Sequence, residues 1–174
     1  TYNIGVLFVD GRRSGLAHEY FSSMLESLKV EAERNGYDIT FINHNISGRS
    51  MTYLEHCHYR SVDGVVIACV NFYDPQVVEL VNSDVPVVTI DHVFNNRMAV
   101  LSDNVAGLKA LVKQAWACGH RRIAFIHGEK TSVTENRIAG FYQACEELGL
   151  EIPEEYVRDG VYHDVERCAE ETRA

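Results

Sequence analysis

What this chain lacks narrows its reading quickly. It has no surplus of basic residues: 16 Lys and Arg against 25 Asp and Glu leave a formal net charge of −9. A protein that grips a phosphate backbone needs cationic groups to displace counterions, so with no basic arm and no zinc-finger spacing this stretch is not expected to hold DNA by itself. No apolar run approaches the roughly 20 residues that a membrane-spanning helix requires, and no secretory signal is visible within the 174 residues. The five cysteines (Cys57, Cys69, Cys118, Cys145 and Cys168) form no C-x-x-C pair and are odd in number. That argues against a disulfide framework and for a reducing cytoplasm. Also missing are a G-x-G-x-x-G turn after the first strand, a G-x-x-x-x-G-K-[ST] phosphate loop and a G-x-S-x-G nucleophile elbow. Ser102 and Ser132 have no evident paired base. Catalysis finds no support, and neither a cofactor nor a metal is called for.

What is present has a clear rhythm. Residues 98–101 are a short apolar run that breaks at Ser102-Asp103-Asn104, residues whose side chains cap a helix N-terminus. Leu108, Leu111, Val112 and Ala115 then fall on one helical face, and Gly119 stops the helix. A second apolar run follows at 122–127. Strand, polar elbow, helix, glycine, strand is a βαβ unit, and such units build parallel sheets. The same alternation runs through the chain. Strands are expected at 3–9, 37–42, 62–69 and 85–90, with a further one at 156–159. Residues 16–35 read as a helix with Phe21, Leu25, Leu28 and Ala32 on its core face, and 51–59 as a short helix. Asp74-Pro75 opens another helix, with aspartate as cap and proline in the first turn. A helix over 135–148 carries Ile138, Phe141, Cys145 and Leu148 on one face, and 164–174 reads as a last helix. Residues 43–50 read as loop. The prediction is an α/β fold, a parallel sheet flanked by helices.

Ligands of open parallel sheets bind beyond the carboxyl ends of the strands. That rule selects Asp10, Cys69, Asp91, His92, Ser102, Asp103 and Gly128. Asp91 follows the apolar Val87, Val88 and Ile90 of its strand and is expected at a cleft rim; the plainer alternative is a helix cap or a loop ion pair. Arg137 is placed in the first turn of its helix, where the macrodipole disfavours a cation, so a polar ligand or a carboxylate such as Asp91 or Asp103 is expected to hold its guanidinium. The alternative is a solvated arginine near Glu135. Phe21 reads as packing, whereas Tyr20, off the core stripe, is expected to face the cleft and stack on a ring. His56-Cys57-His58 reads as polar helix surface, because residues two apart on a helix do not converge on one ion.

Several segments in register carry a resemblance. V-L-S-D-N-V-A-G at 100–107, G-H-R-R-I-A-F-I at 119–126 and N-R-I-A-G-F at 136–141 resemble the lactose-repressor/galactose-repressor family of bacterial transcription regulators. N-I-G-V-L-F-V at 3–9, V-D-G-V-V-I at 62–67 and V-P-V-V-T-I-D at 85–91 fit the same pattern in the same order. The resemblance implies a type I periplasmic-binding-protein-like fold with two subdomains, residues 1–102 and a partial 103–174, and a ligand cleft between them. It also implies a small-molecule effector of the sugar class, with Tyr20 and Phe21 near it, Asp91 and Arg137 bonding its hydroxyls, and Ser102 and Asp103 bordering the cleft. A homodimer is implied, with DNA contacted only through a helix-turn-helix that this sequence does not contain. The second subdomain reads as incomplete, and His18-Glu19 stand where the family often has Asn-Pro. Two other readings compete: a periplasmic sugar-binding protein of a transporter, and an enzyme of flavodoxin-like or Rossmann-like topology.

Overall fold

The computed structural model describes residues 1–9, 19–162 and 164–173. The chain divides into two compact units, Thr1–Leu101 and Ser102–Ala174.

The first unit is built on a five-stranded sheet. Its strands are β1 (Asn3–Phe8), β2 (Asp38–Ile42), β5 (Gly64–Ala68), β6 (Val87–Ile90) and β7 (Met98–Val100). They lie in the order β2-β1-β5-β6-β7, and every pair is parallel. Parallel strands covered on both faces become continuous hydrocarbon rather than alternating, and β1 and β5 show it: Val6, Leu7, Val65, Ile67 and Ala68 are all buried. Three helices cover the sheet. In α1 (Glu19–Arg34), Phe21, Leu25 and Leu28 are half-buried and Ala32 is buried, which is the expected stripe. In α2 (Tyr53–Arg60), the Thr52 hydroxyl accepts the Glu55 amide at 3.2 Å and the Glu55 carboxylate accepts the Thr52 amide at 2.8 Å, a reciprocal capping box. In α3 (Pro75–Asn82), Asp74 caps the Gln76 amide at 2.8 Å.

Two expectations fail here. The stretch 43–50 contains a two-strand antiparallel hairpin, β3 (Asn45–Ile46) and β4 (Arg49–Ser50), turned by Ser47 and Gly48 with φ of 51° and 77°. His56 and Cys57 are not helix surface, since each is 1% exposed. The His56 Nδ1 meets the backbone of Asn43, whose amide donates to it at 3.0 Å. Burial holds the imidazole below its usual pKa and pushes the Cys57 thiol up to about 11. Only His58 faces solvent, near Asp84.

The second unit packs α4 (Asn104–Ala117) against α5 (Ser132–Glu147), beside a two-stranded parallel pair, β8 (Phe125–His127) and β9 (Val157–Asp159), and α6 (Val165–Arg173). A single turn of 3₁₀ helix at Glu154–Tyr156 leads into β9. Its core is Val112, Phe141, Ala144 and Cys145, with Leu108, Ile123 and Leu148 packed around them. Gly119 ends the α4 region at φ 95° and Gly149 the α5 region at φ 63°. Leu111, expected on the core face of α4, is 66% exposed. Strand β8 is shorter than the apolar run that suggested it. No helix among the described residues is long and apolar enough to cross a membrane.

Candidate functional site

The carboxyl ends of the sheet strands in the first unit form a level rim. Continuing the register past the last paired residues puts Val9, Cys69, Asp91 and Leu101 side by side. Cys69 and Asp91, at neighbouring strand ends, both take left-handed backbone conformations, with φ of 53° and 59°. Non-glycine residues avoid that region, at a cost of order 1–3 kcal/mol, and where they occupy it they cluster at ligand sites. The Asp91 amide donates to the Val100 carbonyl at 2.9 Å, which fastens the bend to β7.

Tyr20, in the first turn of α1, donates its hydroxyl to the Asp91 carboxylate at 3.1 Å. Its ring stands edge-to-face on Phe21, which in turn stands edge-to-face on Phe8 at 5.2 Å. Phe21 is therefore the packing residue of the pair and Tyr20 the one that reaches the rim, as the sequence suggests. His92 belongs to an aromatic box. Its ring lies flat on Phe72, with centroids 4.3 Å apart and planes within 7°, and Phe94 meets it at 4.7 Å. Burial among these rings pushes the His92 pKa down, and the buried Thr89 hydroxyl donates to the His92 carbonyl at 2.6 Å.

In the second unit, Asp103 caps α4 by accepting the Ala106 amide at 2.9 Å. The Ser102 carbonyl accepts both the backbone amide and the side-chain Nδ2 of Asn104. Both predicted residues thus shape the start of α4, Asp103 with its carboxylate and Ser102 with its backbone.

Arg137 is where the sequence argument needs correcting. Thr131 caps α5 by accepting the Thr134 amide at 3.2 Å, so the helix starts at Ser132 and Arg137 is in its second turn. The unfavourable dipole interaction that singled it out fades within the first turn. What holds the guanidinium is also different. Its Nε donates to the Asn104 Oδ1 at 2.9 Å and a terminal nitrogen points at the Tyr162 hydroxyl at 3.4 Å. Within its own unit it makes no ion pair with Asp103 or Glu135.

Tyr162 escaped the sequence reading, yet it ties this corner together. Its hydroxyl shares a 2.8 Å hydrogen bond with Thr134, a threonine only 1% exposed. Its amide donates to the Glu129 carboxylate at 3.0 Å. A Cβ built on Gly128 would fall 2.1 Å from the Tyr162 ring, so the ring lies against bare backbone. A signal was available: Gly160 follows β9 as Gly128 follows β8, and Tyr162 lies two residues further along the loop that the strand-end rule selects. Asp10 lies outside the described residues. Among those described, no cluster of His, Cys, Asp and Glu could hold a metal ion.

Taken singly, each unit offers oxygen acceptors or nitrogen donors beside an aromatic ring, an arrangement that suits small polar guests. Residues 3–168 match the family described as periplasmic binding proteins and sugar binding domain of LacI family. The HTH-type transcriptional repressor PurR of Haemophilus influenzae is 28% identical over 148 residues, covering 82% of this chain and 44% of the repressor. A regulatory protein of the LacI family from Chloroflexus aggregans superposes with a TM-score of 0.74 at 25% identity, covering 92% of this chain and 58% of that one. The transcriptional regulator CelR, solved as a cellobiose complex, gives a TM-score of 0.74 at 23% identity, covering 93% and 51%. The chain spans under half the length of the curated PurR repressors it matches. It adopts the α/β, type I periplasmic-binding-protein-like fold and belongs to the family of periplasmic binding proteins and LacI-type sugar-binding domains.

Proposed function

We propose that this chain is the effector-sensing domain of a cytoplasmic, homodimeric transcriptional regulator, and that its effector is a sugar or sugar derivative. Tyr20, Asp91, Arg137 and Tyr162 are the groups that contact it, with Cys69, His92, Ser102 and Asp103 shaping the rims on which those groups stand. The observation that carries this reading is the Tyr20–Asp91 pair on a left-handed strand end: a carboxylate held by a phenol beside an aromatic edge accepts hydroxyl protons while the ring packs on C–H bonds. The membership of the sugar-binding family supports the ligand class. The relatives' names, which are those of repressors, favour a regulator over a transport protein or an enzyme. DNA contact belongs to a helix-turn-helix domain of the intact regulator, and the effector acts by binding one conformation of the dimer better than another.

The test is thermal unfolding with glucose, galactose, ribose and cellobiose. A ligand at about 100 times its Kd adds roughly 2.7 kcal/mol, which in a chain of this size raises Tm by roughly 5–10 °C. Asp91→Asn keeps a residue that tolerates the left-handed bend while removing the charge, and Arg137→Ala removes the donor. Both are expected to abolish the shift. A shift that survives in both variants rules out the assigned contacts.

A further inference from the structure

Asn104 is the first residue of α4, a position where the helix dipole favours a carboxylate. An aspartate there would also pair with Arg137. The chain has a neutral carboxamide instead, and its orientation is fixed from both ends. Its Nδ2 donates to the Ser102 carbonyl at 3.1 Å, which leaves Oδ1 as the atom that accepts from the Arg137 Nε at 2.9 Å. Ser102 also accepts the Asn104 backbone amide at 2.8 Å, so the carboxamide is locked against its own turn. The guanidinium is a rigid planar fork, so a hydrogen bond at Nε sets its plane and leaves the terminal nitrogens as donors. One of them points at the Tyr162 hydroxyl, itself held by Thr134.

We infer that Asn104 is a positioning residue: it aims Arg137 from behind without neutralising it, so that the full positive charge stays available to an oxygen-rich ligand. This rests on the sugar-sensing reading for the identity of the ligand, but the geometry can be tested separately. Asn104→Ala removes both side-chain bonds. Asn104→Asp keeps an acceptor for Nε and replaces the neutral amide with a counter-charge.

The experiment follows the Arg137 Nε–H resonance by NMR, assigned by its disappearance in Arg137→Lys, alongside titration with the four sugars. In the wild type and in Asn104→Asp the Nε–H is expected to exchange slowly with solvent, and in Asn104→Ala quickly. Loss of one hydrogen bond to a charged group weakens binding about tenfold, so Asn104→Ala is expected to raise the Kd by that factor. Asn104→Asp is expected to weaken binding as well, although it holds the fork. Slow exchange and unchanged affinity in Asn104→Ala would overturn the positioning role. Wild-type affinity in Asn104→Asp would overturn the charge-sparing role. A wild-type chain that answers none of the sugars overturns the sugar reading instead, while the exchange comparison still decides whether Asn104 holds Arg137.

Discussion

Gly128 and Tyr162 illustrate how one missing methyl group fixes a side chain. The Tyr162 ring sits where the Gly128 Cβ would be, 2.1 Å away, and the only route for a larger residue is to expel the ring. Gly128→Ala is therefore expected to break the Tyr162 hydroxyl from Thr134 and Arg137 and to destabilise the second unit by about 1–3 kcal/mol, the usual range for overpacking. Urea midpoints measure the loss, and the sugar response should fall with it. At this scale the sequence was legible where chemistry followed a strand. Asp91 stands out as a carboxylate after Val87, Val88 and Ile90, and it sits on the rim bonded to Tyr20. Arg137 stands out in sequence on a premise the structure overturns, since α5 takes in Ser132, Val133 and Thr134 ahead of Glu135. The burial of His56 is not visible in sequence because the backbone that meets its ring is that of Asn43, 13 residues away.

Two helical glycines separate propensity from packing. Gly107 in α4 has no atom of the described residues within 4 Å of its would-be Cβ, whereas Gly140 in α5 would meet the Val105 carbonyl oxygen at 2.6 Å and its Cα at 3.0 Å. Helix propensity favours alanine over glycine by about 0.8–1 kcal/mol at both sites. At Gly107 nothing opposes that gain, so Gly107→Ala is expected to stabilise by up to about that amount. At Gly140 the obstacle is backbone, which cannot rotate away, and the overpacking cost of about 1–3 kcal/mol wins. Paired urea denaturation of the two variants should give shifts of opposite sign; shifts of the same sign would mean that α4 and α5 can slide apart freely. Element types were readable where caps announce themselves: Asp74 and Asp103 each stand one residue before their helix. The β3–β4 hairpin was not readable because two-residue strands have no periodicity, although Ser47-Gly48 is a turn pair. The expected strand at 122–127 overstated β8 because residues 154–156, which the register sets opposite 122–124, form a 3₁₀ turn instead of a strand.

For the molecule as a whole, acid should act in two stages. His56 and His92 in the first unit are held below the ordinary histidine pKa of 6.5, chiefly by burial. The unfolded chain takes up protons that the folded one refuses, so stability is complete above about pH 6.5 and falls as the pH drops below it. Glu147 in the second unit is held at about 2 by hydrogen bonds from Lys109 and then Lys113. Its contribution is complete above the unfolded value near 4.5 and is lost as the pH falls toward 2. Urea midpoints measured from pH 8 to 3 should therefore decline first near 6.5 and again below 4.5. Glu147→Gln should flatten only the second decline; if it leaves both intact, the lysine clamp contributes nothing. Outside the β3–β4 hairpin, the order of strands and helices was legible because the strands of the five-stranded sheet are short apolar runs between polar elbows. The Asn104–Arg137–Tyr162 corner was not, because it joins residues 25 and 33 positions apart that share no local pattern.

The left-handed bend at Asp91 also constrains how this rim can evolve. Among residues with a side chain, asparagine and aspartate enter that conformation most readily, and their codons differ by one base. A single point mutation can therefore swap an anion for a neutral amide at the rim without refolding the turn, while most other exchanges carry a backbone strain. Descendants with altered ligand preference are expected to toggle at position 91 between these two side chains and to diversify instead on the loops around it.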